Sequence, residues 1–276
     1  MSIMLSTRLC DAPDDHGRRR YVRCLLLPPT FLSIMKLHSL LKATALSLAV
    51  VTTSAAMTGV AAAAPANNAA APAGATYSLL SRDNTVLLLV DHQVGLFTGV
   101  RDIDVGQLKH NVVGLAKAAK TLGIPVIVTA TMPDGMWGPT IPELTGALPG
   151  VPVISRTAIN AWDDPKVRAA IEKTGRKQVL IAGVSLEVCA TFPALTLKAA
   201  GYDPRVVLDA SGTFSDAKRT AGLQRLATAG ITVTDYATAG VEMLKGNNDP
   251  KAQQVYADLD MPFAGLVWQL KNSPGK

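Results

Sequence analysis

Hydrophobic positions in this chain fall into short continuous runs, separated by stretches in which they recur at helical spacing. TVLLLVD (85–91), PVIVTAT (125–131), VPVIS (151–155), QVLIAGV (178–184), PRVVLDA (204–210) and ITVTDY (231–236) are runs of strand length. Near-continuous apolarity is what strands need when both faces of a parallel sheet are covered. Between the first two runs, residues 104–122 place Leu108, Val112, Leu115, Ala119 and Leu122 three or four apart, with Gly123 as a C-terminal cap. The same reading predicts helices over 164–174, 187–200, 215–229, 237–246 and 250–258. It also predicts a helical turn near Pro142 and a tail after Pro262. Alternation of this kind predicts an α/β fold: one three-layer α-β-α domain over 77–276 with a mostly parallel central sheet. Ligands of such sheets bind at the carboxyl ends of the strands. Candidate site residues are therefore those just past a strand end.

The pattern ahead of Tyr77 is different. Residues 43–64, ATALSLAVVTTSAAMTGVAAAA, are uncharged, follow Lys36 and Lys42, and end in Ala-x-Ala choices near Ala62 and Ala64. That is the layout of a secretory signal peptide over 35–64, with Met35 as the expected start and export to the periplasm or beyond as the expected destination. An uncleaved membrane anchor is the open alternative, because the run is long enough to span a bilayer. Residues 1–34 read as an unstructured upstream extension, or as a twin-arginine signal starting at Arg18-Arg19-Arg20. Residues 65–76 read as a low-complexity linker.

Composition changes this picture in three places. The chain of 276 residues is 48% hydrophobic and 17% charged, which excludes a disordered polymer. The formal charge of +6 suggests nucleic acid, but residues 1–64 carry 7 Lys+Arg against 3 Asp+Glu, a net of +4. Residues 65–276 carry 20 against 18, a net of +2, so no nucleic-acid surface is expected on the folded part. Cys10 and Cys24 lie in the leader, which leaves Cys189 as the one thiol of the mature chain and no internal disulfide.

Three residues meet the strand-end criterion. Asp91 closes the run VLLLVD, where partial desolvation makes a carboxylate a better base. Cys189 follows QVLIAGV and falls in the first turn of the next helix, where the helix N-terminus lowers a thiol pKa and backbone N–H groups can hold an oxyanion. Arg156 follows VPVIS and supplies a fixed cation. Taken singly, each has a plain structural reading: a cap, a buried apolar thiol, a surface or subunit contact.

Together with their surroundings they resemble the isochorismatase-like cysteine hydrolases, and within them the YcaC-type subgroup. The resemblance is carried by VDHQVGLF (90–97), RDID (101–104), INAWDD (159–164), IAGVSLEVCATFPAL (181–195) and DASGTF (209–214). It implies an Asp–Lys–Cys triad, with Asp91 as the acid/base, Cys189 as the nucleophile and Arg156 in the usual lysine place. Leu186 stands where the family commonly has Thr. The resemblance also implies a non-proline cis peptide between Val184 and Ser185, with the Ser185 and Cys189 N–H groups facing the oxyanion. The implied reaction is hydrolysis of a small amide or related carbonyl compound through an acyl-cysteine, in a homo-oligomer. A non-catalytic or redox-sensing exported protein that keeps the fold is the alternative.

Gln93, Phe97, Asn160 and Trp162 are the expected walls of the substrate pocket, and Met132, Trp137 and Pro139 a possible lid. Nicotinamidase-type relatives hold a metal with an Asp and two His. Here only His92 and His110 remain in the mature chain, so no metal is expected. No glycine-rich loop follows the first strand, so no nucleotide cofactor is expected either.

Overall fold

The computed structural model describes residues 7–13, 19–25 and 78–272. The expected signal peptide and linker lie outside the described residues. The N-terminal unit and the domain that follows are separate bodies. In the first, strands β1 (Thr7–Pro13) and β2 (Arg19–Leu25) pair antiparallel, in register from Thr7↔Leu25 to Pro13↔Arg19. The expectation that all of 1–34 is unstructured is corrected there. The β-favouring Tyr21, Val22 and Cys24 fall inside a strand, and the arginine cluster does not prevent pairing.

In the second unit the elements follow in the order β3 (Thr85–Val90), α1 (Val94–Phe97), α2 (Val105–Leu122), β4 (Val126–Thr131), α3 (Pro142–Ala147) and β5 (Val153–Arg156). Then come α4 (Pro165–Lys173), β6 (Gln178–Gly183), α5 (Thr191–Ala199), β7 (Asp203–Val207), α6 (Asp216–Thr228) and β8 (Thr232–Thr234). Helices α7 (Tyr236–Glu242), α8 (Ala252–Leu259) and α9 (Pro262–Asn272) end the series. The sheet is parallel throughout, in the order β5-β4-β3-β6-β7-β8.

Along β3, Leu87 and Leu89 enter one apolar core while Val86, Leu88 and Val90 enter another. The first core is closed by α2, α7 and α8, the second by α4, α5 and α6. Two covered faces are the physical reason for the continuous apolar run. From β3 the chain moves outward through β4 to β5, then returns to β6 on the other side of β3. That reversal opens a crevice at the carboxyl ends of β3 and β6.

Two elements differ from the sequence expectation. The helix expected over 187–200 is a π-helical turn, Leu186–Ala190, followed by α5. Pro193 has no N–H to give to the carbonyl of residue 189, so an α-helix running straight through from 187 would lose a rung. Starting at Thr191 puts the proline in the first turn, where N–H groups have no intrahelical partner anyway. The tail expected after Pro262 is helix α9, which exposes Phe263, Leu266, Val267 and Leu270.

Candidate active site

Asp91 sits one residue beyond β3 with φ of 57°, a left-handed conformation that Asp tolerates better than most residues. The turn leaves the carboxylate 2% exposed. Its Oδ1 accepts from the Thr131 N–H at 2.9 Å and from Thr131 Oγ1 at 3.2 Å. Its Oδ2 is bonded by Arg156 Nη2. Arg156 reaches it because Arg156 and Thr131 are register partners at the ends of β5 and β4, next to β3. The other arm of the guanidinium, Nη1, donates to the carbonyls of Ala158 and Ile159. One planar fork therefore ties the carboxylate to the loop that carries Ile159.

Cys189 comes from the far side of β3. Gly183 ends β6, and a side chain there would lie 2.9 Å from the Cys189 carbonyl carbon and 3.2 Å from its Cβ. The absence of a Cβ is what lets the π-turn fold down on the strand. The Cys189 thiol shares a hydrogen bond with Asp91, and its pKa is pushed well up. Burial is the largest cause, followed by the Asp91 charge and that hydrogen bond; Arg156 and a backbone hydrogen bond from Ser185 pull the other way. The sequence expectation of a thiol acidified by a helix N-terminus is therefore corrected. Desolvation and a neighbouring carboxylate outweigh the turn's dipole, and the resting group is a thiol.

The Val184–Ser185 peptide is cis. Val184 is fully buried, while Ser185 lines the pocket. The Cys189 N–H, expected as a second oxyanion donor, is committed to the Ser185 carbonyl at 2.7 Å. Leu186, at the place where Thr is common, is fully buried in the second core.

The cavity over the thiol has a volume of about 310 Å³ and is lined by Asp91, Leu96, Thr131, Trp137, Ile159, Ser185, Val188, Cys189 and Phe214. None of the four expected wall residues lines it. Gln93 is fully buried and its amide is used up: Oε1 accepts from the Thr131 N–H at 3.0 Å, and Nε2 donates to the carbonyls of Thr131 and Gly138. Phe97 is buried in the first core. Asn160 caps the turn before Trp162 and donates to Thr196 Oγ1 at 3.2 Å. Trp162 packs edge-on against Tyr202 and beneath Arg168.

Polar side chains after a strand face either the pocket or the neighbouring turn, and sequence does not say which. Thr131 was missed as a site residue, although its place at the end of PVIVTAT was a signal for it. Phe214 was missed although it ends DASGTF. The loop bearing Trp137 is tied by backbone hydrogen bonds to the turn after β3 and to α1. Gly95 donates to the Trp137 carbonyl at 2.8 Å, Val94 to Pro139 at 3.0 Å, and Ile141 to His92 at 2.8 Å.

His92, beside Asp91, is fully enclosed. Among the described residues no group of three or more His, Cys, Asp or Glu could hold a metal. The His92 Nε2–H faces the Ala210 carbonyl at 3.0 Å, and burial pushes the pKa down to about 4. The unfolded chain takes up this proton near pH 6.5, before the folded protein does. Stability is therefore expected to fall as pH drops from about 6.5 toward 4, by about 2 kcal/mol at pH 5 from this group. His92→Gln keeps a donor for Ala210 and removes the proton site. Urea unfolding at pH 7.5 and 5.0 should show a smaller acid loss in that variant. Equal losses would mean that His92 is not the acid-sensitive group.

An Isochorismatase domain model matches residues 85–238. The chain is 42% identical over 168 residues to "Probable hydrolase YcaC" of Escherichia coli K12, spanning 60% of this chain and 81% of that protein. The crystal structure of the Escherichia coli YcaC product, an octameric hydrolase of unknown specificity, superposes with a TM-score of 0.67 at 36% identity, over 72% of this chain and 98% of that one. YcaC from Pseudomonas aeruginosa, solved with hexane-2,5-diol and covalent acrylamide, gives the same TM-score and identity over 71% and 99%.

Proposed function

The chain belongs to the isochorismatase family and is a hydrolase of that family, and from that premise we propose that it cleaves small amides through a covalent acyl-cysteine, without a metal. One observation carries the reading: the Cys189 thiol is hydrogen-bonded to Asp91, which Arg156 and Thr131 hold from the other side. The covalent acrylamide on the Pseudomonas relative supports a reactive nucleophile in this family, since acrylamide is an electrophile that nucleophiles add to at its alkene.

Because the resting sulfur is a thiol, proton transfer and attack go together. Cys189 Sγ bonds to the carbonyl carbon as its proton passes to Asp91, and the carbonyl π electrons move onto oxygen. The Ser185 N–H, already directed at the sulfur, is the donor placed to meet that oxyanion. Collapse breaks the C–N bond, and Asp91 returns the proton to the departing amine. Water then attacks the thioester with Asp91 as base, releasing the acid and restoring the thiol.

The test is a library of small amides with ammonia release as readout, together with the intact mass of the protein during turnover. An acyl increment on Cys189 is expected. Asp91→Asn supplies a second arm. It removes the base that takes the thiol proton, and a charge that adds to burial in holding the thiol pKa up. Hydrolysis should fall by about 10²–10⁴. An Asp91→Asn variant that hydrolysed amides at the wild-type rate would refute the proposed thiol–carboxylate pair.

Self-association is part of the proposal. The octameric relative and the exposed apolar residues of α9 support it, and light scattering of the purified protein tests it. Export is proposed on the 43–64 run alone, and N-terminal sequencing of the protein from fractionated cells tests it.

A further inference from the structure

The pocket carries information about its substrate that the reaction class does not. Of its nine lining residues, Asp91 alone bears a charged side chain, and that charge is already paired with Arg156. Arg156 is in turn enclosed, with its Nε buried and without a hydrogen-bond partner. Its side chain has no solvent exposure, and its two terminal nitrogens are given to Asp91 and to the carbonyls of Ala158 and Ile159. The other walls are Leu96, Trp137, Ile159, Val188 and Phe214. The apolar character continues outward at Ile159, which lines the cavity and is 67% exposed. Polar groups are confined to one end, where Thr131, Ser185, Asp91 and Cys189 surround the reacting atoms.

We infer that this site selects uncharged substrates with an apolar acyl portion, and rejects acids and amines of the same shape. The inference rests on the amide-hydrolase reading for its choice of substrates, but its physical basis is independent of that reading. A carboxylate on the acyl chain would leave water for a wall with no cation to receive it, and would approach the Asp91 carboxylate. An ammonium group would find its one potential partner already bound to a guanidinium. Either way a charge is buried without a mate. An alkyl chain meets dispersion contacts along the whole wall, up to the limit set by the cavity volume.

The experiment compares three amides of matched length: pentanamide, glutaramate and 5-aminopentanamide. Pentanamide is expected to exceed both others in kcat/KM by roughly a hundredfold or more. In the series from acetamide to pentanamide, kcat/KM is expected to rise about fourfold per methylene. A second measurement needs no turnover. Cys189 is alkylated with iodoacetamide and with iodoacetate, and the rate ratio is divided by that of a small free thiol at the same pH. The normalised ratio should favour iodoacetamide by at least about tenfold.

Ile159→Lys places a cation at the mouth and should shift the preference toward glutaramate. If no amide is hydrolysed but the alkylation ratio is as expected, the assigned reaction is wrong and the charge selection stands. If glutaramate or 5-aminopentanamide is cleaved as fast as pentanamide, the hydrolase reading stands and this inference falls. A normalised alkylation ratio near one overturns it as well.

Discussion

Cys189→Ala is expected to lower kcat/KM for any amide the wild type cleaves by at least about 10⁴-fold, with little change in stability. Without the sulfur there is no acyl intermediate. What remains is the weak catalysis of a positioned water beside Asp91. The fold should survive because the turn holding residue 189 is fixed by backbone contacts. The N–H groups of residues 188, 189 and 190 all converge on the Ser185 carbonyl, at 2.7–3.3 Å. Leu186 and Ala190 anchor the turn in the second core. The readouts are ammonia release and a urea midpoint. A variant that retained a tenth of the wild-type rate would remove Cys189 from the role of nucleophile.

Arg156→Met is expected to be the most destabilising single change in the site, by about 3–5 kcal/mol. It leaves the Asp91 carboxylate buried with no counter-charge, and it strips donors from the carbonyls of Ala158 and Ile159. The sign of the pair's own contribution is a separate question, which a double variant answers. Asp91→Asn combined with Arg156→Met removes both charges, and most of the loss should return. Arg156→Lys should fall between wild type and Arg156→Met. An ammonium can face the carboxylate but cannot present a second arm to the loop. Urea unfolding of wild type, Asp91→Asn, Arg156→Met and the double variant gives the coupling directly. If Arg156→Met costs less than about 1 kcal/mol, water reaches the pair and the site is not as dry as its burial indicates.

The guanidinium also accounts for a departure from the family pattern. In the lysine place, Arg156 does two tasks with one planar group: it holds the base, and it positions the loop that puts Ile159 on the pocket wall. It is unsuited to proton transfer because it stays charged at any relevant pH. Under the proposed mechanism, Asp91 is left as the one group that moves the proton.

Much of this was legible in the residues. The six runs of apolar positions match the six strands of the sheet, because a strand covered on both faces has no polar side to show. Asp91, Arg156 and Cys189 were found as strand-end residues of unlike chemistry, and parallel topology sends all strand ends to one edge. The N-terminal pairing of β1 with β2 was not legible, because such short, charged segments carry little periodic signal.

What the chain order could not determine was direction and environment. Gln93 looked like a pocket residue and is a brace, because its amide finds three backbone partners within reach. Thr131 and Phe214 looked ordinary and face the cavity. Most plainly, the start of a helix suggested an acidic thiol, whereas the folded protein raises that pKa. Local sequence carries the dipole of its own turn, but burial and the approach of a carboxylate from 98 residues away exist only once the sheet is assembled, and in a dry crevice they are the larger effects.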